Sequence, residues 1–188
     1  MKRMKNNRGG FTLVELIVTI AIMGLVAIAV TGFMVTGAKS YSTVSYTLRL
    51  QMESQLAMTQ MKEQIVDCNG GICWEPDRNA LTVIHEQEDG TRRQRIFRYD
   101  SVDQCIYYGE GDESLTADQA QDLLAEHVTQ LEVSFAGDTA KGHVKSAAIT
   151  LTMKRGQKEY RGNQVIALRN KPLTAATAEE LKQALAAK

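Results

Sequence analysis

The chain has 188 residues, with 22 basic and 22 acidic side chains and a formal net charge of zero. That length holds one folded domain plus an appendage, and the balanced charge excludes recognition of a polyanion by bulk electrostatics alone. Three cysteines permit one intramolecular disulfide at most, which excludes a small scaffold built on disulfides.

The N-terminus is the most informative stretch. Lys2, Arg3, Lys5 and Arg8 lead to Gly9-Gly10 and Phe11-Thr-Leu-Val-Glu15, and no side chain from Leu16 to Ala38 is charged. Those roughly 23 residues would span ~34 Å as a helix, enough to cross a bilayer core. The basic flank without an acid places the first ten residues on the cytoplasmic side and the remainder outside. Without residues 1–10 the chain is mildly acidic, 18 basic against 22 acidic side chains.

Glu15 does not fit a plain anchor. A carboxylate at the bilayer centre costs ~2.5–3.5 kcal/mol, less near an edge, and usually marks a functional partner. Nor does the stretch fit a secretory signal removed whole, because its small residues, Gly9-Gly10, precede the apolar run instead of following it. A cut there would retain the run and create an α-ammonium at Phe11. In a low dielectric that ammonium would compensate a buried carboxylate.

Between Ala38 and Cys68 there is no Gly or Pro, and apolar residues recur at helical spacing. Val44, Leu48, Met52 and Leu56 make one row; Met58, Met61, Ile65 and Cys68 make another. The two lie on different parts of the circumference, so a broad or shifting buried face is expected. One helix from about Phe11 to Asp67 follows, stopped by Asn69-Gly70-Gly71. Beyond it, Leu81–Gln87 and Arg92–Tyr99 flank Asp89-Gly90, a two-residue hairpin signal that sets Glu86 opposite Arg93.

Gln104–Tyr108 reads as a short strand, and Ser114–Glu126 as a helix opened by a capping box at Thr116 and Gln119. Leu131, Val133 and Phe135 alternate, as do Ala147, Ile149, Leu151 and Met153; Arg155-Gly156-Gln157 turns the second run into a strand holding Tyr160, Ile166 and Leu168. The expected architecture is α+β, a helix spine on an antiparallel sheet of about six strands. Thr177-Ala-Glu-Glu180 signals a short helix near the end, but its apolar face is thin, and residues 172–188 are expected to form a weakly docked tail.

The basic leader, Gly10, Phe11-Thr-Leu-Val-Glu15 and the unbroken apolar run together resemble the class III signal of type IV prepilins. The resemblance implies that a membrane aspartic peptidase cuts after Gly10 and methylates Phe11. It implies that Glu15 meets the ammonium of a neighbouring subunit and helps to set its stagger. It also implies a pilin-like fold without enzymatic activity or cofactor, divided into a leader (1–10), a transmembrane and filament-core helix (11–38), its amphipathic continuation (39–68), a sheet domain (69–171) and a tail (172–188).

The implied partners are prepilin peptidase, other pilin or pseudopilin subunits and a membrane assembly platform. The implied location is the cytoplasmic membrane, spanned once, and a surface filament after assembly. Chain length, the Leu123–Val128 segment and two long final strands are similar to J-type minor pseudopilins of type II secretion and W-type minor pilins. The competing expectation is a single-pass anchored protein, for example in competence, that binds a ligand or DNA outside the membrane without polymerising. It requires a retained Met1 leader and a dispensable Glu15.

Other constellations are weaker. Cys68, Cys73 and Cys105 leave all three disulfide pairings open beside free thiols, and no zinc spacing is present. The basic stretch Thr91–Arg98 has acids across the hairpin and few aromatic partners, so direct nucleic-acid contact is not expected. The acidic loop 109–118 lacks the oxygen ladder of a calcium loop. His85, His127 and His143 have no triad partners, and no catalytic residue or metal site is assigned.

Overall fold

A 54-residue helix, α1 (Leu13–Val66), opens the computed structural model, which describes residues 10, 12–138 and 142–187. The chain divides into two units, Met1–Ser45 and Tyr46–Lys188. In the first, the side chains from Leu16 to Ala38 are exposed and uncharged around the whole helix, with Ile17 at 57 % and Phe33 at 80 %. Three hydroxyls interrupt the grease, and each donates to the carbonyl four residues back: Thr19 to Glu15 (2.6 Å), Thr31 to Ala27 (2.7 Å) and Thr36 to Gly32 (2.9 Å). No polar side-chain group among these three is thereby left without a partner in an apolar solvent.

In the second unit one row of α1 turns inward. Leu50, Ala57, Met58, Met61 and Ile65 are buried with Ser54 between them. The expected broad face does not form: Leu48, Met52 and Leu56 remain 52, 69 and 57 % exposed. The helix stops at the glycine pair. Gly70 donates to the Ile84 carbonyl at 3.2 Å, and a Cβ on Gly70 would stand 2.8 Å from that oxygen, an approach open only to glycine.

The strands are β1 (Gly71–Glu75), β2 (Ala80–Glu86), β3 (Arg92–Asp100), β4 (Cys105–Gly111), β5 (Asp122–Ala125), β6 (Val128–Asp138), β7 (His143–Arg155), β8 (Lys158–Ala167) and β9 (Leu173–Thr174). They form one sheet in the order β5-β4-β3-β2-β1-β9-β7-β6, with β8 alongside β7; every pairing is antiparallel except β1 with β9. The architecture is therefore α+β and pilin-like, as expected, but the sheet has nine strands among the described residues where about six were expected. Alternation gives the sheet two faces. Ile72, Leu81, Val83, Phe97, Ile106, Leu131, Ile149 and Leu151 join α1 in the main core. Cys73, Ala80, Ile84 and Ile96 point the other way into two smaller clusters.

Three expectations are corrected. The hairpin loop is Glu88–Gly90, one residue longer, because Gln87 N–H bonds the Thr91 carbonyl (2.8 Å) and Gly90 takes φ +80°. Glu86 therefore faces Arg92, and Arg93 faces His85. Ser114–Glu126 is not a helix. Thr116 N–H does reach the Gln119 side chain (2.8 Å), but this closes only a 3-10 turn, Ala117–Gln119. The chain then pairs with the open edge of β4 as β5, burying Ala125.

Nor is the C-terminus weakly docked. Helix α2 (Ala178–Ala186) starts at Thr177, whose hydroxyl accepts from Glu180 N–H (3.3 Å), and buries Leu181 and Leu185 against Cys73 and Ile84. Two leucines four apart suffice because other elements hold both helix ends. Ala178 N–H donates to Glu75 Oε1 (3.2 Å), and Arg92 Nη2 donates to the Leu185 carbonyl (2.9 Å).

Two consequences of this packing are measurable. Gly162 on β8 lies against α1, and a Cβ there would stand 3.0 Å from both Met58 Sδ and Ser54 Oγ. Gly162→Val is expected to cost about 1–3 kcal/mol, read as a lowered thermal midpoint.

His85 lies on the face that carries Leu81 and Val83, and its Nε2 is buried without a hydrogen-bond partner. Burial, then the Arg95 charge, lowers its pKa below 6.5, and Asp67 and Glu110 only partly oppose them. The folded state thus binds its proton less readily than the unfolded chain. The stability contribution is complete above pH 6.5 and is lost as pH falls through that value. Thermal midpoints should drop between pH 7.5 and 5.5, and H85Q should flatten the drop.

Candidate processing and assembly site

Helix α1 begins at a side-chain cap. Thr12 is its cap: its carbonyl accepts from Leu16 N–H (3.1 Å), and its hydroxyl oxygen accepts from Glu15 N–H (3.3 Å). Thr12-x-x-Glu15 is therefore a capping-box spacing, a signal present in the sequence that the reading of Glu15 as a charge partner passed over. The carboxylate also lies in the first turn, where the helix dipole favours negative charge. Capping explains why an acid is tolerated at this position. It does not explain why the acid is carried into so apolar a segment.

Gly10 is exposed two residues before the cap, and nothing lies within 4 Å of the position a Cβ would take. Phe11 and the leader residues 1–9 lie outside the described residues. Glu15 is itself exposed, two residues into α1. Among the described residues one helix, α1, is long and apolar enough to span a membrane, and its most apolar window is entirely unburied.

The cysteines do not converge. All three are free thiols. Cys68 ends α1 in the main core, donating to the carbonyls of Gly71 (3.2 Å) and Ile84 (3.4 Å). Cys73 points to the opposite face of β1, under α2. Burial pushes both thiols up to about 12, far from nucleophilic. Cys105 is half-buried at the start of β4 and donates to the Asp103 carbonyl (3.2 Å).

The four arginines of β3 are paired with three carboxylates, none of them from β2 or the turn. Arg92 meets Glu113 (3.0 Å), Arg93 and Arg95 meet Glu110 (3.6 and 3.0 Å), and Arg98 meets Asp100 (3.0 Å) while lying over the Tyr107 ring. The acidic loop is engaged by the same contacts, with Asp112 accepting from Ser114 N–H (2.8 Å). Among the described residues no three of His, Cys, Asp and Glu group as a metal site.

Residues 5–38 match the family model described as the prokaryotic N-terminal methylation motif. No curated protein and no solved structure matches the chain.

Proposed function

From a chain that is type IV pilin-like and carries the N-terminal motif of pilin-type processing, we propose a structural subunit, a minor pilin or pseudopilin of a type IV-like filament. Prepilin peptidase cuts after Gly10 and methylates Phe11. The mature chain waits in the cytoplasmic membrane with its sheet domain outside, and an assembly platform then passes it into the filament. There the apolar helix exchanges lipid for the helices of neighbouring subunits and stays out of water throughout.

The observation that carries assembly, beyond anchoring, is the exposed row Leu48, Met52 and Leu56 on the part of α1 that belongs to the second unit. These residues follow Lys39 and lie past the segment a bilayer needs to cover. An anchored monomer would hold them in water; a helix-lined filament buries them. The arginines of β3, each already paired with a carboxylate, add little to the competing picture of an anchored DNA binder. The long final strands β7 and β8, 13 and 10 residues, support the J-type or W-type minor subunit.

The test is Gly10→Val in the native host. The variant is expected to keep its full unprocessed mass, remain in the membrane fraction and be absent from sheared or purified filaments. Normal filament incorporation of an uncleaved chain would overturn the proposal.

A further inference from the structure

We infer that the free edge of β6 accepts an extended polypeptide strand from another protein chain, seated in a groove walled by Trp74 and Tyr99. Among the described residues, β6 pairs with β7 alone. Its ladder shifts register near both ends, between Val128 and Gln130 and between Ala136 and Gly137. From Gln130↔Thr152 to Ala136↔Ser146 it runs residue for residue. A regular ladder on one side leaves a regular row of N–H and C=O groups on the other.

Natural sheets blunt such edges with charge, proline or shortness. The edge strand β5 is four residues long, and β8 carries Lys158, Glu159 and Arg161. The regular part of β6, Gln-Leu-Glu-Val-Ser-Phe-Ala, has no proline and one charge, Glu132.

The space beside this edge is shaped as well as open. A groove of about 510 Å³ is lined by six consecutive β6 residues, 129–134, by Ala148 and Thr150 of β7, and by Trp74, Pro76, Asn79 and Tyr99. Consecutive lining residues include both faces of β6, so the groove reaches its backbone edge as well as the surface that Ala148 and Thr150 share with it. Trp74 and Tyr99 are half-buried and offer aromatic surface to alternate side chains of an incoming strand. The occupant is identified by its backbone, because an extended peptide is the ligand whose donors and acceptors match a strand edge. Glu132 favours a neutral or basic strand over an acidic one.

This site lies within the second unit and requires no filament, so it stands or falls separately from the proposed function. Trp74 is the chain's one tryptophan, which makes its emission a direct reporter of the groove. The full-length protein in detergent micelles is titrated with two capped octapeptides, one alternating Thr and Val and one with Lys in place of two Thr. Each is also used with every backbone amide N-methylated. The expected result is a saturable change in Trp74 emission and at least tenfold slower amide exchange across residues 130–136 with an unmethylated peptide, both lost on methylation. Silence of both unmethylated peptides at millimolar concentration overturns the inference. So does equal binding of the methylated forms, which would make the groove a mere apolar patch.

Discussion

Met52→Glu is expected to lower the share of subunit found in filaments at least tenfold while leaving cleavage after Gly10 and the thermal midpoint near those of the unaltered chain. Met52 is 69 % exposed on α1 and makes no part of the core, so the folded subunit should tolerate the charge. In a helix-lined filament the same carboxylate would be taken out of water beside apolar neighbours. Burying an unpaired polar group costs roughly 1–3 kcal/mol even in forgiving protein settings, and more for a charge; about 1.4 kcal/mol is a factor of ten. The contrast is Met61→Glu. Met61 is fully buried under the sheet, so that change should unfold the second unit and never reach the assembly step. Membrane and filament fractions quantified by immunoblot, with circular dichroism of the purified variants, separate the two. A Met52→Glu chain that assembles normally would mean that its row faces solvent in the finished structure.

Glu15→Gln should give a sharper separation. Glutamine suits the third helical position of a capping box as well as glutamate does, so helix initiation from Thr12 is retained and the change isolates the charge. Processing is expected to proceed, because the exposed Gly10 and the leader are untouched. Incorporation is expected to fall by two orders of magnitude or more. Removing one partner of a buried ion pair costs about 3–5 kcal/mol, most of it for the charge left behind, here the new ammonium at Phe11. Thr12→Ala is the complementary control, costing ~1 kcal/mol of local helix stability through the lost cap while leaving the carboxylate in place. Strong assembly loss with Thr12→Ala and none with Glu15→Gln would reverse these roles and make Glu15 a capping residue alone.

Much of the architecture is legible in the amino-acid order. The absence of Gly and Pro between Ala38 and Cys68 and the glycine pair that follows bound the C-terminal end of α1 to within one residue, at Val66. Alternation located β6 and β7, because their buried residues contrast with polar neighbours on the other face. What misled was local signal overruled by tertiary contact. Thr116 and Gln119 make the hydrogen bond expected of a helix start, yet the open edge of β4 claimed the following residues for β5.

The hairpin register slipped by one because Asp89-Gly90 is equally at home in a three-residue loop, where Gly90 supplies the positive φ. The end of the chain was underestimated for want of its partners. Nothing in Thr177–Ala186 reveals that Glu75 and Arg92, a hundred residues away, secure both ends of α2.

The candidate site was readable in a different way. Gly10 and Glu15 are legible as a pattern of residue types; the geometry adds the Thr12 cap and the exposure of Gly10. The apolar row of Leu48, Met52 and Leu56 was visible as periodicity, but periodicity alone cannot say whether a row faces its own sheet or another molecule. Burial decides that, by filling the inner face with Leu50, Ala57 and Met61 instead.

The intact mass of the protein isolated from its native membrane addresses the central claim most directly. The account predicts a chain that begins at Phe11 with one added methyl group, converted by Gly10→Val to the full-length unmethylated mass. A native chain that still carries residues 1–10 would contradict it.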